Sequence, residues 1–155
     1  METKTNVMRI LDSLHLGYTA HYYAAASAPS GVEVAQLVGI DPAHVFKTLV
    51  TRGKSERYFV FMIPVAQELN LKKAAAATGE KSIEMVRAKE LLPLTGYVHG
   101  GCSPIGMRKP FETYIDASAV PLATICFSAG KIGSQVEMPL STLRQAITVK
   151  DAFLV

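Results

Sequence analysis

The chain has 155 residues, of which 49% are hydrophobic and 19% charged, with 16 Lys and Arg against 13 Asp and Glu for a net charge of +3. That composition excludes disorder, collagen and coiled coil, and a chain of this size hides roughly 68–70% of its unfolded surface without help from a metal or a disulfide. Cys102 and Cys126 are too few for a disulfide scaffold. The first residues carry an acid and no apolar core of a signal peptide, and the longest apolar run, Tyr58 to Ala66, contains Pro64 and is far shorter than the ~20 residues of a membrane helix. A soluble, cytoplasmic protein with no membrane association is expected. The basic residues are spread along the chain, the closest groupings being Arg52/Lys54/Arg57, Lys72/Lys73, Arg87/Lys89 and Arg108/Lys109. Each is explained by a solvated surface or, with a tRNA ligand, by phosphate contact.

Val7, Ile10, Leu11 and Leu14 recur at helical spacing and Gly17 stands in the place of a left-handed cap, so an amphipathic helix opens the chain. Tyr18 to Tyr23 follows as a strand. Ser30 and Glu33 have capping-box spacing for a short helix closed by Gly39, and Asp41-Pro42 starts one more helical turn. Phe46 to Thr51 and Arg57 to Ile63 are β-rich runs joined by a hairpin turn. Asn70 caps a helix through Ala74 to Ala77 that Gly79 ends. Ser82 to Val86 is expected as a short strand and Ala88 to Leu92 as a helical turn stopped by Pro93. Strands near Thr113 to Asp116, Ala123 to Phe127 and Gln135 to Met138 precede a last helix capped by Ser141. No repeat or linker breaks the chain, so residues 1–155 are expected to form one α+β (mixed α/β) domain, with a mixed, largely antiparallel sheet and flanking helices.

Two segments stand out chemically. In residues 96–106 the glycines Gly100, Gly101 and Gly106 with Pro104 either form a tight turn or bring backbone N–H groups close to a ligand. No Gly-Lys-Ser/Thr ending follows, so this is not a P-loop. In Val45-Phe46-Lys47-Thr48-Leu49-Val50 a lysine between apolar residues is either an edge gatekeeper or a point charge aimed into a pocket. Cys102 lies three residues after His99, but residues on an extended segment alternate faces, which favours a packed thiol over a nucleophile. His15, His21, His44 and His99 lack metal-ligand spacing, so no metal is expected.

The Val45-Phe46-Lys47-Thr48-Leu49 segment, the Gly100-Gly101-Cys102-Ser103-Pro104-Ile105-Gly106 loop and the Ser128-Ala129-Gly130-Lys131-Ile132-Gly133 segment resemble, in order and spacing, those of the YbaK/EbsC family. Its members are freestanding relatives of the editing domain of bacterial prolyl-tRNA synthetase, and the resemblance spans about Val7 to the final helix. It implies a mixed-sheet fold, no cofactor, and trans-editing removal of a wrong amino acid, most often cysteine and in some relatives alanine, from proline tRNA. Mischarged tRNA(Pro) is then the ligand, and prolyl-tRNA synthetase a partner. By the same resemblance Lys47 is the functional lysine and Thr48 its neighbour in the pocket. Gly100 and Gly101 receive the aminoacyl group, with Ser103 in the same loop, Ser128 and Gly130 line the far wall, and Tyr23 matches a tyrosine of the family. Ser30 falls where a bulky aromatic can occur and Gln135 where an acid can occur.

An aminoacyl ester is already activated, so orientation worth ~7–11 kcal/mol and an oxyanion donor worth ~2.7–4 kcal/mol suffice without a strong protein nucleophile. The expectation is a deacylase of Cys-tRNA(Pro), with Cys-tRNA(Cys) a further substrate, in which Lys47 holds the terminal phosphate or ester and the substrate thiol attacks its own ester. The alternatives are an Ala-tRNA(Pro) deacylase, a silent tRNA-binding or amino-acid-sensing module, and a thiol hydrolase using Cys102.

Overall fold

The computed structural model describes residues 3–24 and 29–155. Its strands are β1 (Thr19–Tyr22), β2 (Val45–Gly53), β3 (Tyr58–Pro64), β4 (Ile83–Met85), β5 (Glu112–Asp116), β6 (Ile125–Lys131), β7 (Ser134–Met138) and β8 (Val149–Ala152). The helices are α1 (Asn6–Ser13), α2 (Gly31–Val38), α3 (Leu71–Thr78), α4 (Ala88–Thr95) and α5 (Leu140–Ala146), with 3-10 turns at Pro42–His44 and Ala117–Ala119. All eight strands join one sheet in the order β1-β7-β6-β2-β3-β5-β8, with β4 beside β2. The hairpin pairs β2–β3 and β6–β7 are antiparallel, as are β1–β7 and β2–β4. The contacts β2–β6, β3–β5 and β5–β8 are parallel. A parallel pair needs a crossover, and the helices supply the chain for it.

Strand alternation sends side chains to both faces, and each face has its own helical cover. On one, Phe46, Val60, Met62, Phe127 and Val136 meet Val7, Met8 and Leu11 of α1 and Leu140 and Leu143 of α5. On the other, Phe59, Phe61 and Ile63 meet Ala74 and Ala75 of α3. A smaller cluster of Ala35, Val45, Val65 and Cys126 lies under α2. Local sequence sets the helix starts. The Thr5 hydroxyl accepts from Met8 N, Ser30 and Glu33 exchange the two bonds of a capping box, and Asn70 Oδ1 accepts from Lys72 N and Lys73 N. Each such cap contributes about 1 kcal/mol.

Four expectations need correction. α1 stops at Ser13, not at Gly17: His15 takes the left-handed turn (φ 58°), and Leu16 N closes it on Leu11 O at 3.0 Å. Pro93 does not stop α4, which runs on to Thr95. Pro93 sits on an exposed face, and the Thr95 hydroxyl donates to Leu91 O at 2.7 Å before Gly96 (φ 85°) caps the helix. Ser141 lies inside α5, whose cap position belongs to Pro139 without a side-chain bond. Finally β8 was absent from the sequence-based strand set; it joins the edge through a ladder with β5 that no local pattern announces. The expected strand Tyr18 to Tyr23 is realised as β1.

Candidate active site

The ladder between β2 and β6 has only two rungs, Val45↔Cys126 and Phe46↔Phe127. β4 does not reach the same edge of β2 until Thr51. Residues 47–49 therefore have β3 on one side and no strand on the other. Hydrogen bonding along β2 alternates: Val45 O accepts from Val65 N and Gly53 N donates to Arg57 O toward β3, while Val50 O accepts from Val86 N on the opposite edge. By that alternation the N–H and C=O of Thr48 point into the gap between β2 and β6. The Thr48 hydroxyl is itself a buried polar atom without a partner among the described residues, an arrangement that favours a ligand with polar groups.

The gap opens into a cavity of about 350 Å³, at the small end of the ~300–1,000 Å³ usual for ligand sites. Its walls are the β2 segment Val45–Leu49, Ser30 and Gly31 at the start of α2, His99, Gly100 and Cys102 of the glycine loop, and Ser128 and Gln135 from β6 and β7. Lys47 is half-buried and has no carboxylate in ion-pair reach among the described residues. The nearest row of polar side chains crosses the sheet. Ser128 pairs with Gln135 and Gln135 with His21, so Lys47, Ser128, Gln135 and His21 follow one another over four strands when the β2–β6 register is carried one residue further. Glu137, also on β7, is already engaged by His21 Nε2 at 2.8 Å and the Thr124 hydroxyl at 2.6 Å. Those bonds, Thr124 first, hold its carboxyl below the usual range. Lys47 is thus a cation left for the ligand.

The glycine loop divides its work. Gly100 takes φ 88° and lines the cavity, and its N–H has no partner among the described residues. Gly101 N–H is spent on Val98 O at 3.0 Å, and a Cβ there would stand 3.1 Å from Ile132 N, so this glycine lets the loop lie against the β6–β7 turn. Ser103 is fully buried beyond the cavity wall, its hydroxyl 3.4 Å from Ile105 N. Ser128 Oγ accepts from Gly130 N at 3.1 Å and keeps its own O–H to donate. Gly130 (φ 91°) lies against Tyr97, whose ring is 2.8 Å from where a Cβ would be. Tyr23 follows β1, with its N–H on Gly133 O, and precedes residues 25–28, which lie outside the described residues.

The structure thus brings Lys47, Thr48, Gly100 and Ser128 to one cavity, whereas Tyr23, Gly101, Ser103 and Gly130 stand outside its lining. It adds Phe46, Leu91, His99 and Gln135. Leu91 carries no sequence signal for a site; His99 lies in the glycine-rich stretch singled out in the sequence, and Gln135 stands at a position the family resemblance named, its place opposite Ser128 given by the β6–β7 register. Both thiols are poor nucleophiles: burial pushes Cys102 and Cys126 up to about 12, and Cys126 donates to Gln135 Oε1 at 3.7 Å.

Comparison with known proteins shows the family and the fold. The family model described as "Aminoacyl-tRNA editing domain" matches residues 25–146. The chain is 44% identical over 138 residues to the Enterococcus faecalis protein named "Putative Cys-tRNA(Pro)/Cys-tRNA(Cys) deacylase EbsC", covering 88% of this chain and 84% of that one. It is 30% identical over 101 residues to the proline–tRNA ligase of Kosmotoga olearia, of which the matched region is only 17%. Among solved structures, one described as "a putative trans-editing enzyme for prolyl tRNA synthetase" superposes with a TM-score of 0.82 over 98% of both chains at 22% identity, a likeness of fold. With the family model spanning most of the sheet and the whole cavity wall from Ser30 to Gln135, the chain belongs to the aminoacyl-tRNA editing domain family.

Proposed function

We propose that this chain is a trans-editing aminoacyl-tRNA deacylase that removes cysteine from mischarged tRNA(Pro). The observation that carries the proposal is Lys47, a half-buried cation without a carboxylate partner among the described residues, beside a strand gap into which Thr48 offers its backbone N–H and whose cavity Gly100 lines. In this reading Lys47 holds the terminal phosphate or the ester oxygen and Gly100 N–H receives the carbonyl oxygen as it gains charge. Ser128, Gln135 and Thr48 bracket the amino-acid side chain. With both protein thiols neutral, the substrate's own sulfur is the attacking atom. A C–S bond forms to the ester carbonyl, the C–O bond to the ribose breaks, and the thiol proton ends on the released ribose hydroxyl. Water then opens the four-membered thiolactone to free cysteine.

Similarity to EbsC over most of that protein's length supports action in trans, and similarity to proline–tRNA ligases supports association with prolyl-tRNA synthetase. The described residues contain no helix long and apolar enough to cross a membrane, and a tRNA substrate supports a cytoplasmic role. The test is turnover of Cys-, Ala- and Ser-tRNA(Pro) by the purified protein. Cys-tRNA(Pro) is cleared fastest if the proposal holds. Equal rates on Cys and Ala move the chain to alanine editing by water, and binding without turnover makes it a silent module.

A further inference from the structure

A second concavity, of about 570 Å³, lies at the start of three neighbouring parallel strands. Arg57 precedes β3, Glu112 opens β5, and Lys150 stands in β8; the opposite wall is the stretch 104–111, with Met107, Lys109 and Phe111. The single carboxylate is shared, Glu112 accepting from Arg57 at 3.2 Å and from Lys150 at 3.4 Å. Lys109 has no partner among the described residues. Three cations thus face one carboxylate. Arg108, next in sequence, is drawn off to pack over Gly96, its Nε 3.2 Å from that residue's Cβ position. Phe111 supplies an apolar floor, tilted against Tyr58 with ring centroids 5.5 Å apart.

The catalytic cavity cannot by itself hold a polynucleotide. It is sized for an aminoacyl end, and Lys47 is the only Lys or Arg in its lining among the described residues. Several other cations are already committed: Arg52 to Glu84, Arg144 to Asp151, and Lys73 to the Val155 carbonyl. The basic groove differs because its walls continue into the active-site wall. One segment carries His99, Gly100 and Cys102 into the cavity and Pro104 to Phe111 into the groove. A surplus of cations beside an aromatic face is the chemistry that holds a nucleic-acid backbone and its bases.

We infer that the groove between Lys109, Lys150, Arg57 and Phe111 is a second RNA-binding site, which grips phosphates of the tRNA body while its aminoacyl end occupies the cavity. This rests on the proposed deacylase activity for the identity of the RNA. It also adds a site that the chemistry of ester cleavage does not require.

The test uses the double variants Lys109→Glu/Lys150→Glu and Lys109→Gln/Lys150→Gln of the full chain. Binding of uncharged tRNA(Pro) is followed by fluorescence anisotropy against salt, and turnover is measured on Cys-tRNA(Pro) and on a short cysteinyl ester of the terminal CCA. The groove predicts about a tenfold weaker affinity for the Glu variant and a log–log salt slope smaller by roughly 1.5–2. The Gln variant should lose affinity less, and short-ester turnover and melting temperature should stay at wild-type values. An unchanged affinity and slope overturn the groove even if the wild type is an active deacylase. A wild type that binds tRNA through the groove yet cleaves neither substrate overturns the catalytic proposal and leaves the groove standing. Loss of short-ester turnover in both variants overturns the groove as a separate site, as does tighter binding of poly-glutamate than of tRNA by the wild type.

Discussion

Lys47 on β2 and Ser128 on β6 stand one residue beyond the last rung that joins their strands, where a continued parallel ladder would have paired them. The sheet stops hydrogen bonding at this point and the cavity begins. A crevice where parallel neighbours part company is a common place for a ligand, because backbone groups are exposed there without the cost of breaking a ladder.

Lys47→Ala should lower deacylation by about 10²–10³-fold, the range for losing one oriented electrostatic contact to a developing charge. Its side chain makes no ion pair that the fold depends on, so circular dichroism and melting temperature should hold. Lys47→Arg should rescue only in part, since a planar fork does not fill the place of a compact ammonium. A folded Lys47→Ala protein with normal turnover would sink its role.

Cys102→Ala should remain active and lose about 1 kcal/mol of stability from the space left by the thiol. With the thiol pushed up to about 12 by burial, the thiolate at pH 8 is on the order of one molecule in ten thousand. Alkylation of the native protein should therefore be slow at neutral pH and accelerate on unfolding. Rapid inactivation by iodoacetamide, prevented by substrate, would restore a protein nucleophile.

Much of this site could be read from the chain because the chemistry-bearing residues sit in short contiguous runs. Lys47 and Thr48 lie in a β-rich hexapeptide, and Gly100 in a glycine cluster, both visible without any pairing. What joined them was not legible. Whether Lys47 guards an edge or faces a pocket depends on where β6 stops pairing, a fact of tertiary register. The same limit hid β8, whose four residues have no strong alternation, and the pairing of Gln135 with Ser128, which the resemblance named as a position but could not place. The errors at Gly17 and Pro93 have a different origin. Local propensity was outvoted: His15 accepted the left-handed conformation, and an exposed proline was carried inside a helix whose buried Leu91 and Thr95 anchor it on either side.

Gly130→Ala should cost more than Gly39→Ala, although both glycines have positive φ. At Gly39 (φ 72°) nothing lies within 4 Å of a new Cβ, so the penalty is the ~1–2 kcal/mol of the left-handed backbone alone. At Gly130 (φ 91°) the Cβ would meet the Tyr97 ring at 2.8 Å and Val7 at 3.1 Å, both in the core. Overpacking adds about 1–3 kcal/mol. Urea melts of the two variants decide the order, and equal midpoints would mean that Tyr97 moves freely.

Glu137 gives the fold an acid-sensitive tie between β1 and β7. Its carboxyl is held below the usual carboxylate range by the Thr124 hydroxyl and then by His21. The folded pKa is lower than the unfolded one, so the stabilisation is complete above about 4.5 and fades as pH falls through the folded value. Glu137→Gln should therefore lower the melting temperature near pH 6, and the gap to wild type should narrow as the pH falls below the usual carboxylate range. A gap between the two proteins that stays constant with pH would remove the carboxylate from this role.

The thiol of the substrate supplies the sharpest chemical prediction, because neither Cys102 nor Cys126 is ionised enough to attack. A pocket that folds the cysteinyl side chain back over its carbonyl makes the attack intramolecular, and near-attack geometry is worth far more than the ~1–3 kcal/mol by which binding separates small side chains. Serine places a poorer nucleophile at the same position and alanine places none. S-methyl-cysteinyl-tRNA(Pro) keeps the ester and nearly the shape, but its sulfur has no proton to give up, so attack would leave a sulfonium rather than a neutral thiolactone. It should bind and inhibit without being cleared. Should it be cleared at the rate of Cys-tRNA(Pro), the attacking atom is water or a ribose hydroxyl, and Lys47 with Gly100 would then serve an ester cleavage blind to the side chain.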